Sequence, residues 1–488
     1  MTSLTGGERD GARAGPLAAQ TLAARTLASA PGRLRGFAVT GAALVALVVG
    51  VQPAVSQTLE EALIQAYQSN PTLSAARAEL RSVNERVPQA LSDWRPLLEA
   101  DASAGQAVDD VERPTDRGSD GRTPLATDLT LTQPVYRGGR TVAGTERAEN
   151  EVFAQRALLA DSEQTVLFDG VTVFADVWRD QSVLQLNLNN EQVLARQLEA
   201  TQDRFEVGEV TRTDVAQSES RLSTATADRI QAEGNLTSSR AAFENVIGVF
   251  PEILEQPERP RELPTDQQSV IDGAEAANPS VLATQFTELA ALREVREVEG
   301  ELLPEVSLRG QLSYQNEAAS RGSESSTAEV LALVTVPLYQ QGSVSSRVRE
   351  AKQVASQRRL EVREALRQAR EDAISAWESL QTARAQIQAF LESVRANEIA
   401  LEGVRQENAV GARTVLDVLD AEQELLDAQV NLVGAQRDEI VASYQVLTAI
   451  GRLTAMDLGL ETEIYDAEAD YRAVRDKWFG LTAPGVPE

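Results

Sequence analysis

Pro134-Val-Tyr-Arg-Gly-Gly139 and Pro337-Leu-Tyr-Gln-Gln-Gly342 are one phrase written twice, 203 residues apart. The same offset relates Gly208 to Gly411, Asp214 to Asp417 and Gly248 to Gly451. Upstream, Asn70-Pro71 returns as Asn278-Pro279 and Arg95-Pro96 as Leu303-Pro304, now 208 residues apart, so a length change of five falls between residues 97 and 133. A constant offset interrupted by one short length change marks the duplication of a unit of about 200 residues.

Each unit opens on a helix start, Ser69-Asn70-Pro71 or Ala277-Asn278-Pro279, in which Asn caps the free amides and Pro fills the first turn without loss of a hydrogen bond. The helix is expected to run to Pro96 or Pro304. Beyond it, Val306, Leu308, Gly310, Leu312 and Tyr314 alternate with Ser307, Arg309, Gln311 and Ser313, and a period of two means strand. Strands are read at about 98–106, 128–135, 306–315 and 328–336, giving two hairpins whose links, 107–127 and 316–327, have the polar, Gly-containing composition of exposed loops. No proline then occurs between Pro134 and Pro251, nor between Pro337 and Pro484. Single helices over 141–207 and 344–410 are therefore permitted, each about 100 Å long at ~1.5 Å per residue. Heptads support them. Leu380, Ile387, Val394 and Leu401 form one seam, Ala383, Phe390, Asn397 and Val404 a second, and Leu419, Leu426, Val433, Ile440 and Leu447 a third on the helix that follows.

Composition narrows the chemistry. The chain of 488 residues is 42% hydrophobic, enough for a folded interior, and its formal charge of −28 disfavours nucleic acid, which is bound by neutralising phosphates. It has no His and no Cys, which removes His triads, Cys nucleophiles, His or Cys zinc sites and disulfides. Neither a catalytic residue nor a cofactor or metal site is assigned: a carboxylate pair such as Asp417 and Asp420 could serve acid–base chemistry, but no pocket-forming motif accompanies it. Residues 1–36 carry Arg9, Arg13, Arg25, Arg33 and Arg35, an uncharged run Phe37–Val51 follows, and Ala54-Val55-Ser56 ends it. This reads as an export signal over 1–56, a membrane anchor being the alternative, and places the protein in a Gram-negative envelope.

Strands of about ten residues suit a tilted bilayer crossing, and half-apolar alternation is the mark of a wall between lipid and water. Four strands cannot close, however, and an open edge in hydrocarbon leaves backbone groups unpaired, so further copies must finish the barrel. Two copies would fill their own interior; three would supply twelve strands and leave a lumen.

In order, Thr58-Leu-Glu-Glu-Ala…Asn70-Pro71, the strand hairpin, Gln133-Pro-Val-Tyr-Arg-Gly-Gly139, the long helices and Val410-Gly-Ala-Arg-Thr-Val-Leu-Asp-Val-Leu-Asp-Ala421 resemble the TolC family of outer-membrane efflux and type I secretion channels over about 57–460. The fold class is accordingly mainly α with membrane β, a duplicated unit of long coiled-coil helices plus two β-hairpins. The resemblance implies a homotrimer with a twelve-strand barrel in outer-membrane lipid and a twelve-helix tunnel in the periplasm, docking on a periplasmic adaptor protein and an inner-membrane transporter. The segments are 1–56 (signal), 57–250 (first repeat), 251–277 (linker), 278–453 (second repeat) and 454–488 (tail, expected to end in disorder), and by the resemblance the linker and tail form a belt around the tunnel.

The tip turns Val207-Gly-Glu-Val-Thr-Arg-Thr-Asp214 and Val410-Gly-Ala-Arg-Thr-Val-Leu-Asp417 each offer Gly208 or Gly411 to end a helix and Thr211 or Thr414 to cap the next. Capping alone would account for Asp214 and Asp417. It does not account for Asp420, whose repeat partner is Gln217 and which lies one turn from Asp417. The resemblance assigns Asp417 and Asp420 to an aspartate ring at the tunnel entrance, and Gln197, Thr213, Asp214 and Arg413 to a closing network, with an Arg413–Asp214 pair as the suggested lock. Relatives place a tyrosine where this chain has Asn408. A soluble periplasmic adaptor is the competing reading: it explains the seams and the signal, but not the paired amphipathic hairpins, and Lys352 and Lys477, the only lysines, supply no lipoyl-like segment. Whether the cargo is small molecules or proteins is left open.

Overall fold

The computed structural model describes residues 57–113, 116–251 and 253–483; the export segment lies outside them, as do the last five residues. The first repeat folds as α1 (Leu59–Ser69), α2 (Pro71–Asn84), α3 (Arg86–Ser92), β1 (Leu97–Ala104), β2 (Ala107–Arg113), β3 (Asp116–Arg122), β4 (Leu125–Arg137), α4 (Arg140–Glu206) and α5 (Arg212–Ile247). The linker carries α6 (Gln267–Ala277), the second repeat gives α7 (Pro279–Gly300), β5 (Glu305–Asn316), β6 (Glu324–Thr335), α8 (Ser343–Ala409) and α9 (Val415–Ala449), and α10 (Ala467–Arg475) follows. The two longest helices have 67 residues each.

The duplicated Asn-Pro pair shows why the halves fold alike. Asn70 Oδ1 accepts the amides of Thr72 (2.9 Å) and Leu73 (3.4 Å), and its Nδ2 donates to the Val246 carbonyl at the end of α5 (3.0 Å). Asn278 repeats the pattern on Ser280 (3.0 Å), Val281 (3.4 Å) and the Ala449 carbonyl at the end of α9 (3.1 Å). One side chain starts one helix and finishes another, which satisfies orphan groups of both termini.

Three segments differ from the sequence reading. The first-repeat helix does not run unbroken to Pro96: it stops at Asn84 and resumes at Arg86. Pro88 is the cause, having no amide hydrogen and a ring that crowds the carbonyl four residues back, at Asn84. The partner position in the second repeat is Arg296, and α7 is continuous there. The link 107–127 is not a plain loop, since β2 and β3 pair within it from Ala107↔Arg122 to Arg113↔Asp116. The linker 251–277 ends in α6, capped by Asp266 on the Ser269 amide at 2.9 Å.

The remaining strands form one antiparallel sheet in the order β1-β4-β5-β6. Its register sorts side chains by face. Ala100, Leu129, Leu312 and Ala328 lie in one row, and Leu98, Leu131, Gly310 and Val330 in another, all on one side. The opposite side carries the rows Asp101, Asp128, Ser313, Thr327 and Glu99, Thr130, Gln311, Glu329. Gln311 Nε2 donates to Asp128 Oδ1 at 3.3 Å within that polar face. The bulge between Pro134 and Tyr136 falls where the proline cannot donate to the ladder. Outer edges of β1 and β6 have no partner strand among the described residues.

Sheet and helices meet where two glycines touch. Gly138, at φ 63°, lies so close to Gly300 that a Cβ on it would be 2.1 Å from the Gly300 carbonyl oxygen, and a Cβ on Gly300 would be 2.6 Å from that of Gly138. Farther along, the main core gathers Leu63 and Leu73 with Leu167, Phe174, Phe243, Val446 and Leu453, so that α1, α2, α4, α5, α9 and the segment after α9 are held together. Phe174 and Phe243 stack at 6.3 Å. Of the seam residues, Leu380, Ala383, Ile387, Leu401, Leu419, Leu426, Ile440 and Leu447 are buried. Glu439, buried in that body, is compensated by Arg259 (2.8 Å) and Arg384 (3.3 Å), which ties the linker to α8 and α9. No helix among the described residues is long and apolar enough to cross a membrane.

Candidate entrance at the helical tip

The turns joining α4 to α5 and α8 to α9 are built alike. Gly208 (φ 83°) and Gly411 (φ 80°) take the left-handed conformation that glycine adopts without strain. The amides of Glu209 and Ala412 then reach back to the carbonyls of Arg204 and Glu407, each at 2.9 Å, which closes the helix ends. On the next helix, Thr211 Oγ1 accepts the Asp214 amide (3.3 Å) while Asp214 Oδ2 accepts the Thr211 amide and hydroxyl, both at 2.8 Å. Thr414 and Asp417 form the same reciprocal cap at 3.2, 2.8 and 2.7 Å. Both aspartates therefore cap helices.

Charge then distinguishes the two turns. Arg413 Nε donates to Glu407 Oε2 at 2.9 Å, and its Nη1 lies 3.7 Å from Asp417 Oδ1. The Thr414 hydroxyl and amide, with Arg413 beside them, hold the Asp417 carboxyl below the usual carboxylate range, so it is anionic at neutral pH. Asn408 Nδ2 donates to the Arg413 carbonyl (2.9 Å), and its Oδ1 meets Arg204 of α4 at 3.5 Å. Asp420 is bonded to Arg221 of α5. Alongside, Leu194, Leu222, Ala225, Val415 and Leu419 form a small apolar cluster shared by α4, α5 and α9.

Of the residues singled out in the sequence, the chain thus brings Arg413 to Asp417 and leaves Asp420 one turn farther along α9. It does not bring Arg413 to Asp214: they belong to different tip turns, and within the chain the Arg413 side chain is engaged by Glu407 and Asp417. Thr213 is exposed on the first turn of α5, and Gln197 is half-buried on α4. Glu407, Arg204 and Arg221 were not singled out. Glu407 and Arg204 occupy the same place in the duplicated unit with opposite charge, which was visible in the alignment of the halves. The same opposition of charge relates Arg221 to Glu424.

An amphipathic sheet with open edges, carried on paired helices of this length, defines a channel-forming subunit of the envelope. The chain belongs to the outer membrane efflux protein family, whose model matches residues 62–249 and 270–452, one span in each repeat. It is 36% identical to the outer membrane efflux protein BepC of Brucella suis over 434 residues, covering 89% of this chain and 94% of that one. It is 25% identical to the outer membrane protein TolC of Escherichia coli, covering 85% and 87%. The solved outer membrane protein VceC of Vibrio cholerae shares the fold, with a TM-score of 0.70 at 20% identity over 80% of this chain and 96% of that chain. The protein is an outer-membrane efflux channel component, and the adaptor reading is set aside.

Proposed function

We propose that three copies close their sheets into one barrel in outer-membrane lipid and bundle their long helices into a periplasmic tunnel, which exports cargo delivered by an inner-membrane transporter through a periplasmic adaptor. The observation that carries this reading is the register of the sheet, which separates an apolar face from a polar one while leaving both edges unpaired. Such a tunnel passes what the transporter supplies. Deleting the gene should raise sensitivity to antibiotics and detergents, deplete a secreted protein, or both; a strain unchanged in drug tolerance and in its secreted protein profile would refute export.

At the tip, Asp417 and Asp420 form the entrance ring. Gln197, Thr213, Asp214 and Arg413 close it between neighbouring helices, Arg413 reaching Asp214 across two copies. Single-channel recording separates the two roles. Asp214→Ala with Arg413→Ala should raise conductance, because the lock is lost, whereas Asp417→Asn with Asp420→Asn should lower cation preference at little cost in conductance. Unchanged conductance in the first variant removes the lock, and unchanged selectivity in the second removes the ring.

A further inference from the structure

The geometry points to Arg221 as a selectivity-setting residue of the tunnel entrance: by pairing with Asp420 it offsets the charge of half of the entrance carboxylates, so that the cation preference of the channel is restrained by this arginine. The inference rests on the proposed entrance and adds to it a residue from a different helix.

The two repeats differ at this level of the tip. Shifted by the repeat offset, Asp420 corresponds to Gln217 and Arg221 to Glu424. The duplicated position therefore holds Gln and Glu, which form no ion pair, although the helices around it are the same: α4 packs along α5 and α8 along α9 in both halves. The duplicated unit does not demand an Arg221–Asp420 pair, since its other half carries Glu424 and Gln217 at the corresponding positions. Packing of α5 on α9 at this level is supplied independently by Leu222, Ala225, Val415 and Leu419.

Asp420 begins the second turn of α9, about 9 Å along the axis from the Thr414 cap. Arg221 lies about 15 Å beyond the Thr211 cap, yet its guanidinium spans the difference to reach Asp420 Oδ1. Side chains of Arg221 and Asp420 are 37% and 51% exposed, so the pair is open to water and to passing ions. Asp417 also has a cationic neighbour, Arg413 at 3.7 Å, but that arginine donates its stronger bond to Glu407, which leaves Asp417 the less compensated carboxylate. The ring is therefore two tiers: a lower tier at Asp417 that remains anionic in its cap, and an upper tier at Asp420 whose charge is answered by Arg221. An exposed pair of this kind adds little to folding stability. Its effect on a permeating ion is larger, because in a narrow entrance three copies of one charge act together.

The test uses the full-length trimer in planar bilayers under a KCl gradient. At 0.1 M salt, Arg221→Gln should increase the cation-over-anion permeability ratio about two- to fivefold and lower the half-blocking concentration of spermine by a similar factor. Arg221→Lys should restore both. In 1 M KCl, where screening extends only ~3 Å, the difference should vanish, which a change in helix packing would not do. Asp420→Asn serves as the reference and should move selectivity toward anions. If Asp420→Asn shifts selectivity and Arg221→Gln does not, the assignment of Arg221 is overturned while the entrance stands; if neither shifts it, Asp420 does not line the entrance and both fail.

Discussion

Replacing Leu312 with arginine should abolish the proposed outer-membrane trimer, whereas the same change one residue on, at Ser313, should be tolerated. Leu312 sits in the row with Ala100, Leu129 and Ala328, and its side chain is 56% exposed within one chain. With that face against lipid, a guanidinium near mid-depth costs about 2–4 kcal/mol per chain, incurred at three positions of one assembly. Ser313 points to the other side, in the row with Asp101, Asp128 and Thr327, where water and two carboxylates receive a cation. Migration of unboiled and boiled outer-membrane fractions reads the outcome: the trimer band should be lost for Leu312→Arg and kept for Ser313→Arg. Equal trimer yields from the two variants would mean that the leucine row does not face hydrocarbon.

A second large effect is expected at the junction of sheet and helices. Gly138→Ala would place a methyl 2.1 Å from the Gly300 carbonyl oxygen and 2.9 Å from Leu303 Cβ, so that α7 and the start of α4 must move apart. Overpacking together with the left-handed backbone should cost about 2–5 kcal/mol. Neighbouring Gly139 separates the two causes. Its φ of 77° is as unusual, but nothing lies within 4 Å of a Cβ there, so Gly139→Ala should cost only the backbone part, about 1–2 kcal/mol. The second repeat makes the same point unaided: Gln341, the counterpart of Gly138, adopts φ 55° with a full side chain, and the counterpart of Gly300 is Ser92. Thermal denaturation of the detergent-solubilised trimer checks the ranking, and equal losses for Gly138→Ala and Gly139→Ala would contradict the close approach.

What the sequence disclosed depended on the kind of signal. The long helices were legible because proline is missing from long stretches and glycine returns at Gly208 and Gly411; α4 and α8 begin and end one residue earlier than read. Strand alternation located β5 to within a residue at each end, since Val306, Leu308, Gly310, Leu312 and Tyr314 recur at every second position, whereas β6, with the continuous apolar run 330–334, begins four residues earlier than read. β2 and β3 escaped notice for the opposite reason: Asp109, Asp110, Ser119 and Asp120 carry no alternation of apolar residues, and only their backbone pairing marks them as strands. The break in the first-repeat helix was written in the chain at Pro88 and became decisive only beside Arg296, which occupies the corresponding place without interrupting α7. The tip turns were legible in full, because caps are local and spacing dictates them. The partner of Asp420 was not: Arg221 reaches it through the axial stagger of α5 against α9, which no repeat or period encodes. Arg413 is different, since Glu407 before it and Asp417 one turn after it lie within local reach in the sequence.

Equal length in α4 and α8 also constrains how such a protein can evolve. Each is a measuring rod whose far end must arrive level with its twin, while α5 and α9, at 36 and 35 residues, return over only about half that length. Adding a heptad to one rod alone would shift its tip by about 10 Å against the other. The rods can lengthen only through matched insertions in both, so one dimension of the assembly is recorded twice over in a single gene.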